Sequence, residues 1–272
     1  NAEQAERNLY IANIFLANRH WQDGRPQDAL TLLEKTIPQA GRQDRRGFEW
    51  HYLQRQIQSQ FFELLGHSEP VLAVNFSPDG KWLASASNDL SIKVWDVKNR
   101  IEKLTIKNAH SKSITSVVFG PQSQRLASSS LDGTAIIWDL GTGAKICQLS
   151  GHRGPIRSIR FNAQGSRVIT GSDDRTASVW NATTGQHLLP LEGHELETRD
   201  AVFSPDGKTI ASASSDRTIK LWDNQSETEL KTLTGHGDAV SSVAFSPDGK
   251  VIASGDGDGT IKLWDVSALA TP

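Results

Sequence analysis

The chain has 272 residues, 37% apolar and 22% charged, with a formal net charge of −2, an ordinary balance for one or two globular domains. That charge excludes the Lys/Arg excess on which a dedicated nucleic-acid binder depends, and no apolar run approaches the roughly 20 residues that would span and insert in a bilayer. The single cysteine, Cys147, excludes an intrachain disulfide and a cysteine zinc cage.

Residues 1–59 read as helical. Leu9, Ile11, Ala12, Ile14, Phe15, Leu16 and Trp21 recur near helical spacing up to a break at Asp23-Gly24-Arg25-Pro26. A second helix carries Ala29, Leu30, Leu32, Leu33 and Ile37 and stops at Pro38; a third carries Phe48, Trp50, Leu53 and Ile57. The stretch 17–37, with Trp21, Gly24, Ala29 and Leu33 in order, resembles part of a tetratricopeptide unit. One copy cannot bury a solenoid core by itself, so this α-helical linker is expected to dock on something else.

From Gln60 to Pro272 the pattern changes to short alternating runs of Val, Ile, Ala and Leu separated by turn residues. Five units are read, approximately 60–96, 101–139, 144–181, 186–223 and 228–265. Each holds a histidine followed 28 residues later by a tryptophan, and successive histidines lie 43, 42, 42 and 42 residues apart. A fixed period in that range is the mark of four-stranded propeller blades. Ser-Pro-Asp-Gly at 77–80, 204–207 and 246–249 supplies the first hairpin, with proline fixing an early φ and glycine a late positive one. Residues 121–124 and 162–165 fill the same slot with other turn residues.

Ten and six residues before each tryptophan stand a hydroxyl residue and an aspartate. The five sets are His67, Ser85, Asp89, Trp95; His110, Ser128, Asp132, Trp138; His152, Thr170, Asp174, Trp180; His194, Ser212, Asp216, Trp222; and His236, Ser254, Asp258, Trp264. With Gly-His opening four units and Trp-Asp closing four, the chain resembles the WD40 repeat family; Ala109 and Asn181 are the two departures. The resemblance implies a mainly β propeller in which the indole donates to the hydroxyl, the hydroxyl meets the histidine, and the aspartate holds the histidine. Ser, His and Asp also invite a hydrolase reading. Five identical copies, no Gly-x-Ser-x-Gly elbow and a hydroxyl consumed by the indole argue against it. The histidines belong to different blades, which removes them as joint metal ligands, and Asp256 with Asp258 lacks the twelve-residue calcium pattern. No cofactor, metal or catalytic residue is expected.

Binding must then be sought where the units differ. In the WD40 family partners contact three positions per unit, three and five residues after the histidine and one before the aspartate. Carried over, these include Leu72, Leu131, Arg157, Asp173, Glu197 and Arg199. The two arginines suit a protein or peptide partner that is acidic or phosphorylated; pairing with the neighbouring acids is the alternative. Residues 60–65 read as an outer strand and nothing after Trp264 supplies one, an arrangement that would close a five-bladed ring or leave an arc of a larger one. The chain begins at Asn1 without a methionine anywhere, and is expected to be part of a longer protein. The leading expectation is a non-enzymatic interaction scaffold, with an enzyme using a propeller-top cleft as the alternative. Finally, 6–10 and 46–53 resemble the linker before the propeller in bacterial receptor-like serine/threonine kinases, which implies a sensor or regulatory part of a signalling protein.

Overall fold

Helix α1 (Ala2–Gln22) ends where Gly24 takes a positive φ of 71°, and Pro26 opens α2 (Pro26–Glu34), a position that needs no backbone N–H. Helix α3 runs Phe48–Gln60. The computed structural model describes residues 2–38, 44, 46–60 and 62–269, in two compact units, Asn1–Leu64 and Leu65–Pro272. In the first unit Ala17, Ala29, Leu33, Trp50, Leu53 and Ile57 form the core, with Tyr10, Ile14 and Trp21 packed against it. The buried face of α1 is therefore the stripe Tyr10, Ile14, Ala17 and Trp21. Leu9, Ile11, Phe15 and Leu16, counted among the apolar positions above, are exposed. Periodicity located the helix, but only packing chose its face. Trp50 Nε1 donates to Leu33 O and Thr36 Oγ1, satisfying the carbonyl end of α2 from α3.

The second unit is built of antiparallel meanders. Their strands are β1 (Val71–Phe76), β2 (Trp82–Ser87), β3 (Ile92–Asp96) and β4 (Ile101–Ile106); β5 (Ile114–Phe119), β6 (Arg125–Ser130), β7 (Ala135–Asp139) and β8 (Lys145–Leu149); β9 (Ile156–Phe161), β10 (Arg167–Ser172), β11 (Thr176–Asn181) and β12 (His187–Glu192); β13 (Thr198–Phe203), β14 (Thr209–Ser214), β15 (Ile219–Asp223) and β16 (Glu229–Leu233); and the three-stranded β17 (Val240–Phe245), β18 (Val251–Asp256) and β19 (Ile261–Asp265). The hairpin chemistry is visible in Ser77, whose hydroxyl donates to Asp79 and accepts from Trp82 N, while Gly80 holds φ at 69°. In the second repeat Ser123 takes that conformation, at φ 57°, without the glycine.

Consecutive sheets pack face to face through separate apolar clusters. Ile92 and Val94 of the first meet Val117, Phe119 and Trp138 of the second, and Ile219 and Leu221 of the fourth meet Val243 and Ile252 of the fifth. Arginines latch neighbouring sheets: Arg125 donates to Gly165 O at 2.7 Å, and Arg167 to Asn224 O at 3.3 Å. The two ends of the series differ from this pattern. Val74 and Phe76 on the first inner strand are 63% and 60% exposed, and Ile261 and Leu263 on β19 are 77% and 72% exposed. The five sheets thus form an open arc and not a closed ring. The strand read at 60–65 is not found: Gln60 ends α3, residue 61 lies outside the described residues, and 62–67 enter no ladder. Among the described residues the outer edge of β19 pairs with no strand.

Phe76 and Phe119 occupy the same position of adjacent repeats, one open to water and one 6% exposed within a cluster. Phe119→Ala is expected to lower unfolding free energy by about 3–5 kcal/mol and Phe76→Ala by less than about 1 kcal/mol. Urea denaturation of the two variants checks this, and equal losses would contradict an open first face.

Candidate functional site

In each repeat the quartet joins three separated segments. In the fourth, His194 Nδ1 lies 2.8 Å from Asp216 Oδ2, His194 Nε2 lies 2.8 Å from Ser212 Oγ, and Trp222 Nε1 donates to the same Oγ at 2.8 Å. A carboxylate only accepts, so the proton sits on Nδ1; Nε2 then accepts from the hydroxyl, whose oxygen receives the indole. The same chain runs through His67, Ser85, Asp89 and Trp95, and through His152, Thr170, Asp174 and Trp180. In the second repeat His110 Nδ1 is shared between Asp132 at 3.2 Å and Thr134 at 3.1 Å, while Ser128 bridges Nε2 and Trp138. The glycine before the histidine has a reason in packing. A Cβ on Gly193 would stand 3.1 Å from the Trp222 ring, and the φ of 152° already favours glycine.

The fifth repeat departs from expectation. His236 Nδ1 meets Asp256 Oδ2 at 2.6 Å, not Asp258; Ser254 and Trp264 complete the chain. Asp256 stands where the other repeats carry Ser87, Ser130, Ser172 and Ser214, and its longer carboxylate reaches the imidazole directly. Asp258 instead accepts from Thr260 N and Oγ1.

Order and distances in these chains match those of a hydrolase triad, but the oxygen has no freedom to attack. Ser128, Thr170 and Ser212 are fully buried, and each is held between imidazole and indole. The repeated polar chemistry is spent on fastening sheets.

Five stretches, 58–96, 101–139, 143–181, 185–223 and 227–265, match the model of the WD domain, G-beta repeat. The chain belongs to the WD40 repeat family. Individual relatives align over short stretches. A Notchless protein homolog of Arabidopsis thaliana is 48% identical over 44 residues, covering 16% of this chain and 9% of the relative. WD repeat-containing protein SL1-17 of Schistosoma mansoni is 62% identical over 34 residues, 12% and 11% of the two chains. A ribosome biogenesis protein BOP1 homolog of Dictyostelium discoideum is 38% identical over 64 residues, 24% and 6%. Each alignment spans about a tenth or less of the relative.

On the WD40 face that carries the His–Asp pairs, the two singled-out arginines behave differently. Arg157 makes a bidentate pair with Asp173, Nε to Oδ1 at 2.8 Å and Nη2 to Oδ2 at 2.5 Å. Among the described residues Arg199 donates only its Nε, to Ser215 Oγ at 2.7 Å, and is exposed. Glu197 is half-buried and raises the Arg157 pKa from a distance, after the larger effect of the Asp173 hydrogen bonds. Leu72 is 49% exposed and Leu131 half-buried. One functional-looking residue went unread. Asp200 is 4% exposed, accepts from Val243 N of the next repeat at 3.3 Å, and lies 3.5 Å from Arg160; burial pushes its carboxyl pKa up. It stands at an alternating inward position where the other repeats carry Ala or Ser, so no periodic signal announced it.

Titration of the quartets has one sign. Burial raises the carboxyls of Asp89, Asp132, Asp174 and Asp216, but hydrogen bonds from hydroxyls, imidazoles and backbone outweigh it and leave each below its usual range. Asp256 is likewise drawn down to about 2. Burial also depresses His110 and His194, whose neutral forms the fold prefers. In both cases the unfolded chain binds more protons, so this stability is present above the unfolded pKa values and is lost as pH falls. The urea midpoint is therefore expected to decline below about pH 6.5 and again below about pH 4. A midpoint constant from pH 7 to 4 would contradict the neutral buried histidines. Asp216→Asn is expected to cost about 1–3 kcal/mol, because the amide keeps one acceptor and turns an N–H on either the His194 and Glu195 donors or the Thr218 donors, and Asp258→Asn less, because Asp256 serves His236. Equal losses in denaturation would restore Asp258 to the quartet.

Proposed function

We propose that this WD40 chain is a non-enzymatic scaffold that docks acidic or phosphorylated protein segments on the face bearing the His–Asp pairs, around Arg199 and Leu131. The observation that carries this reading is the contrast between the two arginines. Arg157 has its guanidinium filled by Asp173, whereas Arg199 gives one N–H to a hydroxyl and leaves the rest of its fork for an incoming oxyanion. Leu131 adds an apolar contact, and Leu72 extends the partly apolar rim. Asp173 and Glu197 then act to orient Arg157 and to disfavour acids placed away from Arg199.

The chain further reads as the regulatory or sensor part of a larger signalling protein of the receptor-like kinase type. Supporting this, the two kinase-linker-like segments touch: Tyr10 Oη donates to Glu49 Oε1 at 3.0 Å and accepts from Gly47 N at 3.1 Å. An open reading frame that encodes a kinase domain upstream would bear it out, and one without would end it.

The docking face is tested on an array of acidic, phosphorylated and neutral peptides. Arg199→Ala with Leu131→Ala is expected to weaken the bound anionic peptides at least about tenfold, the scale of one charge-assisted hydrogen bond. Unchanged binding by the double variant would move the partner off this face.

A further inference from the structure

The outer halves of the four-stranded repeats are not equivalent. In the first, Lys93 Nζ on β3 donates to Glu102 at 2.6 Å and Thr105 at 2.9 Å, both on β4. The fourth repeats this, with Lys220 donating to Glu229 at 2.7 Å and Thr232 at 3.0 Å. These lysine side chains are only 10% and 13% exposed; each lies beside its quartet tryptophan and fills the space next to it. In the third repeat the same register positions hold Ser178, His187 and Pro190. Serine and proline are shorter than the lysine and threonine they replace, and His187 lies flat on Trp180, ring centroids 4.3 Å apart at 25°. The space that the lysine fills elsewhere is open as a cleft of about 610 Å³. The second repeat, with Ile136, Lys145 and Gln148 at these positions, has a smaller cleft of about 460 Å³. Among the four-stranded repeats, these two clefts lie at the ones that lack the Lys–Glu–Thr set.

The third cleft is flanked by two cations. Arg153, after His152, and Arg175, after Asp174, both line it and are exposed. Among the described residues neither guanidinium donates a hydrogen bond or forms an ion pair. No other repeat has arginine at both positions: the first carries Ser68 and Leu90, the second Ser111 and Gly133, the fourth Glu195 and Arg217, the fifth Gly237 and Gly259. Arg175 also holds a left-handed φ of 74°, where the second and fifth repeats use glycine. Of the acids at the cleft, Asp174 is engaged by His152, Thr176 and the Arg153 backbone, and Glu192 pairs with neither arginine.

We propose that this cleft is a second binding site, for an oxyanion carried on an extended peptide, with Arg153 and Arg175 gripping the carboxylate or phosphate and the His187–Trp180 stack forming the floor. It does not depend on the docking face around Arg199. Guanidinium forks bind either oxyanion with paired N–H donors.

The test uses the whole chain and three fluorescein-labelled peptides of one backbone, carrying glutamates, phosphoserines or glutamines, read by anisotropy. One or both anionic peptides are expected to bind and the glutamine peptide not to. A tighter phosphoserine peptide assigns the site to phosphate, and an equal or tighter glutamate peptide assigns it to carboxylate. Arg153→Ser with Arg175→Gly, substitutions drawn from sister repeats, is expected to weaken binding at least about tenfold. The graft Ser178→Lys, His187→Glu, Pro190→Thr, which rebuilds the internal set, is expected to weaken it similarly by filling the cleft. Arg199→Ala is expected to leave the cleft-bound peptide within about twofold of its original affinity, a difference of less than 0.5 kcal/mol. Failure of both anionic peptides to bind, binding unchanged in the arginine variant and the graft, or binding lost only with Arg199→Ala, overturns the proposal. Loss at the cleft with no effect of Arg199→Ala supports it even where the docking-face reading fails.

Discussion

A tryptophan indole, a buried hydroxyl, an imidazole and a carboxylate, bonded in series, tie the middle strands of each sheet to the turn and the loop beyond them. The tryptophan lies on the third strand, the hydroxyl on the second, the aspartate in the turn between, and the histidine on the segment that enters the first strand. Every member has its donors and acceptors used, and an unpaired buried group costs about 1–3 kcal/mol, so the chain favours one arrangement of these segments over any slipped one. The fifth repeat shows that the requirement is chemical and not positional. A carboxylate two residues earlier, Asp256 at the end of β18, closes the chain there.

This fastening leaves the rest of the sheet free to vary. The inner strands and middle positions supply the apolar clusters between neighbouring sheets, while the outer strands and the turn residues beside the histidine and aspartate differ from repeat to repeat. Function in such a scaffold lies in those differences. A filled arginine at 157 and a partly free one at 199, or a filled outer groove in the first repeat and an open one in the third, are small changes on a constant frame.

The open ends follow from the same construction. An internal sheet hides one face against the sheet before it and the other against the sheet after it. The first and fifth sheets each have one such face without a neighbour among the described residues, which is why Val74, Phe76, Ile261 and Leu263 are exposed while their counterparts inside the series are buried.

Period, strand alternation, turn residues and four of the five quartets were legible in the sequence, because each depends on local spacing that recurs with every repeat. Three helices were legible too, from apolar spacing and from breakers at Gly24 and Pro26. Their buried face was not, since Leu9 and Phe15 are as apolar as Ile14 and only contact with Trp50 and Ile57 separates them. Nor could spacing decide between Asp256 and Asp258, the fate of 60–65, the engagement of Arg157, or the cleft beside Trp180. Each of those depends on which side chain reaches a shared point in space first, a competition that only the folded arrangement of strands resolves.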